Sequence, residues 1–171
     1  MLEWRSAMNL LIVDDEYLVV EEVVTVTDWE LLGITEIYSA TNAVSAVRIL
    51  NEKKIDIMIC DIEMPQTDGL ELSKKAKENF PDLEIVMLTS HAEFNYVRNA
   101  LRYGCYDYLL KPVMEDDIIK VMKNLVTKIE RERHQAQLQE EGIVWNQLKP
   151  VWKEKYWEEM LRGLRDDPNR E

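Results

Sequence analysis

Between Asn9 and Arg131, short apolar runs alternate with segments of helical period, and this alternation restricts the architecture more than any other feature of the chain. "NLLIV" (9–13), "ITEIYSA" (34–40), "IDIMIC" (55–60), "EIVML" (84–88) and "CYDYLL" (105–110) read as strands. The segments 17–29, 42–50, 70–80, 94–103 and a long stretch from Glu115 read as helices; Ala43, Ala46, Val47 and Leu50, for example, recur at helical spacing. Thr67-Asp68-Gly69 reads as a turn, Pro81-Asp82 as a break and Gly104 as a helix cap. Five strands alternating with five helices predict an α/β domain, a doubly wound five-stranded parallel sheet covered on both faces. Several strands are almost continuously apolar, as burial on both sides requires.

In such a sheet, ligands bind beyond the carboxyl ends of the strands, where strand order switches. The polar residues at those ends are therefore the candidate site. Asp14, Asp15 and Glu16 follow the first strand, Asp61 the third, Thr89 and Ser90 the fourth, and Lys111 the fifth. Asp61 is the sharpest case, because a core-bound run delivers a carboxylate at its tip, where it is desolvated on one side. Crowded acids raise one another's proton affinity unless a cation joins them. Oxygen donors with no His or Cys partners suit magnesium rather than zinc. Lys111 and Thr89 add a point charge and a hydrogen-bond donor, which suit a phosphoryl group. A carboxylate among them can attack phosphorus to form an acyl phosphate. Taken singly, each residue has a plainer role: Asp14 and Asp15 as acids at a helix start, Thr89 as a strand-end hydroxyl, Lys111 as a solvated lysine.

Charge excludes one class of partner. The chain carries −12, from 33 acids and 21 bases; residues 1–112 hold 20 acids and 10 bases, the remainder 13 and 11. Neither part has the basic stripe that phosphate-backbone binding needs. No apolar run is long enough to span a membrane, and no leader opens the chain, so a cytoplasmic location is expected. The two cysteines, Cys60 and Cys105, sit in apolar runs and read as reduced, buried thiols.

With "LIVDDE", "DIEMPQTDGLEL", "LTSHAEF" and "YDYLLKP" in this order, the chain resembles the receiver domain of two-component response regulators over roughly residues 8–130. The resemblance implies a flavodoxin-like (CheY-like) fold. It makes Asp61 the phosphoacceptor. Asp15 and Asp61 would bind Mg²⁺ directly, with the backbone carbonyl of Glu63 as a third ligand and Asp14 acting through water. Thr89 and Lys111 would contact the phosphoryl group, Thr89 and Tyr108 would form the switch, and Lys111–Pro112 would be cis. The implied donor is a sensor histidine kinase, and the protein would be no enzyme beyond its own phosphoryl transfer and dephosphorylation. Two other readings are a magnesium-dependent phosphatase of the haloacid-dehalogenase type and a pseudo-receiver that only binds partners. The first lacks its second Asp, since Glu63 stands two residues after Asp61; the complete acid, Thr and Lys set opposes the second.

Residues 131–171 read as a helical linker. Ile118, Met122, Leu125 and Ile129 form a heptad-like seam, which serves either a coiled coil with a second chain or packing on the chain's own domain. Gly142 and Pro150 read as interruptions, and Trp145, Trp152 and Trp157 suggest a packing surface. "TDWELLGI" and the segment 93–113 are similar to receivers that precede AraC-type helix-turn-helix domains. A homodimer is expected through the linker helix or the face made by the fourth helix, fifth strand and fifth helix. DNA would be bound only through an output domain outside this sequence.

Overall fold

The structure is a computed structural model that describes residues 7–65, 67–90 and 100–165, with side chains described as far as residue 143. Five strands form one parallel sheet: β1 (Met8–Val13), β2 (Ile34–Ala40), β3 (Ile57–Asp61), β4 (Glu84–Thr89) and β5 (Asp107–Leu110), in the order β2-β1-β3-β4-β5. Every residue of β3 and β4 is buried, whereas the edge strands β2 and β5 are only partly buried. The central strands are covered on both faces and the outer ones on less, which explains why the central runs are so uniformly apolar.

Helices α1 (Tyr17–Thr25), α2 (Ala43–Glu52) and α3 (Gly69–Asn79) connect the strands, and α4 (Glu115–Arg165) follows β5. Asn42 caps α2, its side chain accepting from the Ser45 N–H at 2.8 Å; Asp68 caps α3, accepting from the Leu70 N–H at 2.8 Å. Helix α1 ends four residues before its expected limit. The buried Trp29 folds back and its indole N–H donates to the carbonyls of Val23 and Val24 at 3.2 and 3.0 Å, occupying groups that further helix would have used.

Three local expectations change. Thr67 and Asp68 are not only a turn but pair antiparallel with Glu63 and Met64, and Gly69 already belongs to α3. β5 starts at Asp107 rather than Cys105, because Gly104 takes φ +81° and the N–H groups of Gly104 and Cys105 donate to Leu101 and Ala100, closing a helix C-terminus. Helix α4 runs through Gly142 and Pro150 without a break. A glycine costs about 1 kcal/mol in a helix interior and a proline about 3 kcal/mol, since it removes one hydrogen bond and its ring crowds the preceding turn, and neither stops the helix here. Of the helix expected over 94–103, residues 100–102 are helical and Tyr103 stands in the turn that follows; His91 and residues 94–99 lie outside the described residues, as do the side chains of Trp145, Trp152 and Trp157.

The chain divides into two units, Met1–Lys128 and Ile129–Glu171. In the first, Ile118, Met122 and Leu125 are each 0% exposed, so this part of the seam serves the unit's own core and is closed to a coiled coil. In the second, residues 131–143 of α4 are almost all exposed, including Leu138 and Ile143. No helix among the described residues is long and apolar enough to cross a membrane.

Candidate functional site

Register brings the strand ends level. Val13 pairs with Cys60, Asp61 with Leu88, and Thr89 with Leu110. Main-chain bonds carry the ladders one step further: Asp14 N–H to Ala40 O, Ile62 N–H to Leu88 O, and Lys111 N–H to Thr89 O at 2.9 Å. Asp14, Asp61, Thr89 and Lys111 therefore stand on one edge. The chain turns from β1 to β2 on one side and to β3 on the other, so the crevice between β1 and β3 is the switch point, flanked by Asp14 and Asp61.

The side chains converge there. Lys111 Nζ lies 2.6 Å from Asp14 Oδ2 and 3.2 Å from Asp61 Oδ1. One carboxylate oxygen each from Asp14, Asp15 and Asp61 lies within 4.8 Å of the others. Asp14 is 0% and Asp61 3% exposed, while Asp15 is accessible. The second oxygen of Asp14 accepts from the Glu16 N–H at 2.9 Å, which ties the acid to the start of α1. Burial pushes the Asp61 carboxyl up to about 6; Lys111 pulls it down, Asp14 pushes it up, and the Glu63 main-chain N–H, donating to it, pulls it down slightly. Burial opposes the charge on Lys111, but its contacts with Asp14 and Asp61 outweigh that, so its pKa is raised. The ammonium is firmly charged where it stands.

Three carboxylates and one ammonium leave two negative charges, and every donor in the cluster is an oxygen. That set fits a hard divalent cation with room for water. Thr89, 1% exposed, ends β4. Tyr108 is half-buried and packs on the core; its partner Met87 and Thr89 are two apart on β4, so Tyr108 and Thr89 share one face of the sheet. The Lys111–Pro112 bond is cis. Glu63 is exposed and takes part through its main-chain amide.

Sequence reasoning missed two features. Gly69, read only as part of a turn, has its Cα against the Asp61 main chain. Buried Glu84, at the opposite end of β4, binds Lys128 of α4 at 2.7 Å and Lys77 of α3 at 3.5 Å. An isolated glycine after "TD" and an acid opening an apolar run were the available signals.

A family model described as the response regulator receiver domain matches residues 10–123. The chain is 34% identical over 124 residues to the uncharacterized transcriptional regulatory protein YesN of Bacillus subtilis, covering 72% of this chain and 34% of that protein. It is 32% identical over 127 residues to the response regulator SaeR of Staphylococcus aureus, covering 74% and 54% respectively. The chain thus spans from a third to about half the length of these curated relatives. Among solved structures, it is similar to the REC domain of AraT, a response regulator from Geobacillus stearothermophilus (29% identity, TM-score 0.65, 77% of this chain and 99% of that one). It is also similar to a two-component transcriptional regulator AraC from Clostridium phytofermentans (25% identity, TM-score 0.68, 76% and 99%).

Proposed function

Because the chain belongs to the response regulator receiver family, we propose that Asp61 accepts a phosphoryl group from a sensor histidine kinase and that this modification switches an output. The observation that supports the reading best is the Lys111 ammonium held between the carboxylates of Asp14 and Asp61 at the switch point of the sheet. An Asp61 oxygen attacks phosphorus in line, the bond from phosphorus to the donor's imidazole nitrogen breaks, and that nitrogen keeps the electron pair. The product is an acyl phosphate on Asp61. Lys111 and Thr89 bind the incoming phosphoryl oxygens, and Lys111 offsets the charge that Asp61 gains. Asp14, Asp15, Asp61 and the backbone carbonyl of Glu63 would hold Mg²⁺, Asp14 through water. When bound, the ion neutralises phosphoryl charge and helps to orient the group.

After transfer, Thr89 moves toward the phosphoryl group and Tyr108, on the same face, turns inward. The surface around β5 and the start of α4 changes with them and shifts a dimerisation equilibrium. The full-length protein is a cytoplasmic transcriptional regulator of the kind that the relatives' names describe, binding DNA through an AraC-type output domain. The chain transfers one phosphoryl group to itself and turns over no external substrate. Intact-mass and peptide mass spectrometry after acetyl phosphate and Mg²⁺ treatment tests this. One phosphoryl group on Asp61, lost in Asp61→Asn, is expected; Mg²⁺-dependent labelling elsewhere, or sustained hydrolysis of small phosphomonoesters, would overturn it.

A further inference from the structure

We infer that Gly69 and Cys60 are positioning residues that grip the main chain of Asp61 and thereby aim its carboxylate, an inference that rests on the reading of Asp61 as phosphoacceptor. A Cβ on Gly69 would lie 1.8 Å from the Asp61 carbonyl oxygen, 2.8 Å from its carbonyl carbon and 3.0 Å from Ile62 Cα. All three are backbone atoms, so no side chain can swing away to make room. Gly69 is not among the glycines with positive φ, which are Gly33 and Gly104. The requirement at Gly69 is therefore for space, not for a left-handed backbone.

The contact also closes a short ring of chain. The Gly69 N–H donates to Ile62 O at 2.9 Å, Glu63 and Met64 pair with Asp68 and Thr67, and Asp68 caps α3. From the side of the core, the Cys60 thiol donates to the same Asp61 carbonyl, with Sγ 3.4 Å from it. Ser73, 0% exposed and bonded to Met87 Sδ at 3.2 Å, is a further polar neighbour of that thiol. Carbonyl and carboxylate hang from one residue. A carbonyl displaced by roughly an ångström, as a methyl at Gly69 demands, shifts the carboxylate against Lys111 Nζ and against the Glu63 N–H. Neither Gly69 nor Cys60 belongs to the residues proposed to hold the phosphoryl group or the cation, so both act through Asp61.

The test uses the full chain with Gly69→Ala, Cys60→Ala and, as a control for lost stability alone, Leu50→Ala on α2, each first checked for folding by circular dichroism. Gly69→Ala is expected to label with acetyl phosphate about a hundredfold more slowly. Its Mg²⁺ affinity by calorimetry should weaken by about tenfold. Folded Leu50→Ala should match wild type in both. Gly69→Ala with wild-type rate and affinity, or Leu50→Ala impaired as severely, would overturn the inference. If Gly69→Ala does not fold, Cys60→Ala decides: about threefold slower labelling supports the grip, and wild-type behaviour in rate and affinity refutes it. A wild-type chain that binds Mg²⁺ yet takes no label would sink the phosphoacceptor reading instead, and the Mg²⁺ affinities would still decide the positioning.

Discussion

Asp61 carries the conflict that defines this protein. Its carboxyl, raised to about 6 by burial and by Asp14, holds a proton more tightly in the folded chain than in the unfolded one, where the ordinary value is 3.8. For an acid shifted upward, stability is highest below the unfolded value and is lost as pH rises through the folded one. Without divalent ions, the melting temperature should therefore fall between about pH 4 and pH 7, by the equivalent of up to about 3 kcal/mol. Asp61→Asn should flatten that fall; thermal melts in chelator across this range check it. Lys111 has the opposite role. Removing it by Lys111→Ala leaves two buried carboxylates facing each other without a cation and should cost about 3 kcal/mol at neutral pH in urea unfolding. Mg²⁺ should restore much of that loss. These residues were legible because each stands directly after an apolar run, where a strand's end is visible in the sequence.

Elements differ in how openly their ends are written. Asn42 and Asp68 cap α2 and α3, a role that reading 42–50 as helix and Thr67-Asp68-Gly69 as a turn does not assign to them. Asp68→Ala should cost about 1 kcal/mol through the lost cap. Because that cap holds Gly69 against the Asp61 main chain, its loss should also slow labelling, whereas Asn42→Ala should have a similar cost with no effect on labelling; urea titration and mass spectrometry separate the two. The end of α1 was not legible. Val26 and the residues after it permit helix, and only the fold-back of the Trp29 indole onto the Val23 and Val24 carbonyls stops it. The heptad seam at Ile118, Met122 and Leu125 was ambiguous for a similar reason. A periodic apolar stripe shows that a face is buried, not against what, and here the face serves the core of its own unit.

At the scale of the molecule, the net charge of −12 and the site's two uncompensated negative charges make divalent ions the natural stabiliser. Mg²⁺ should raise the melting temperature saturably, with a gain near 2.7 kcal/mol once its concentration is about a hundred times the dissociation constant. The gain should vanish in a chain carrying both Asp15→Asn and Asp61→Asn. The division at Lys128 gives a second expectation. A chain ending at Glu130 keeps the buried Ile118, Met122 and Leu125 and should melt cooperatively within a few degrees of the whole, a difference worth about 1 kcal/mol or less. Circular dichroism on both chains checks it.

The sequence by itself determined the class of fold, the order of its elements and which polar residues stand at strand ends. Burial on both faces of a parallel sheet imposes uninterrupted apolar runs, and the switch-point rule then gathers whatever follows them. Only the tertiary structure decided what those residues touch: the Gly69 backbone against the Asp61 carbonyl, Glu84 between Lys77 and Lys128, and the seam of α4 turned inward. Such contacts join parts of the chain that share no period, and their strength depends on ångström-scale distances and on shielding from water, neither of which a linear pattern records.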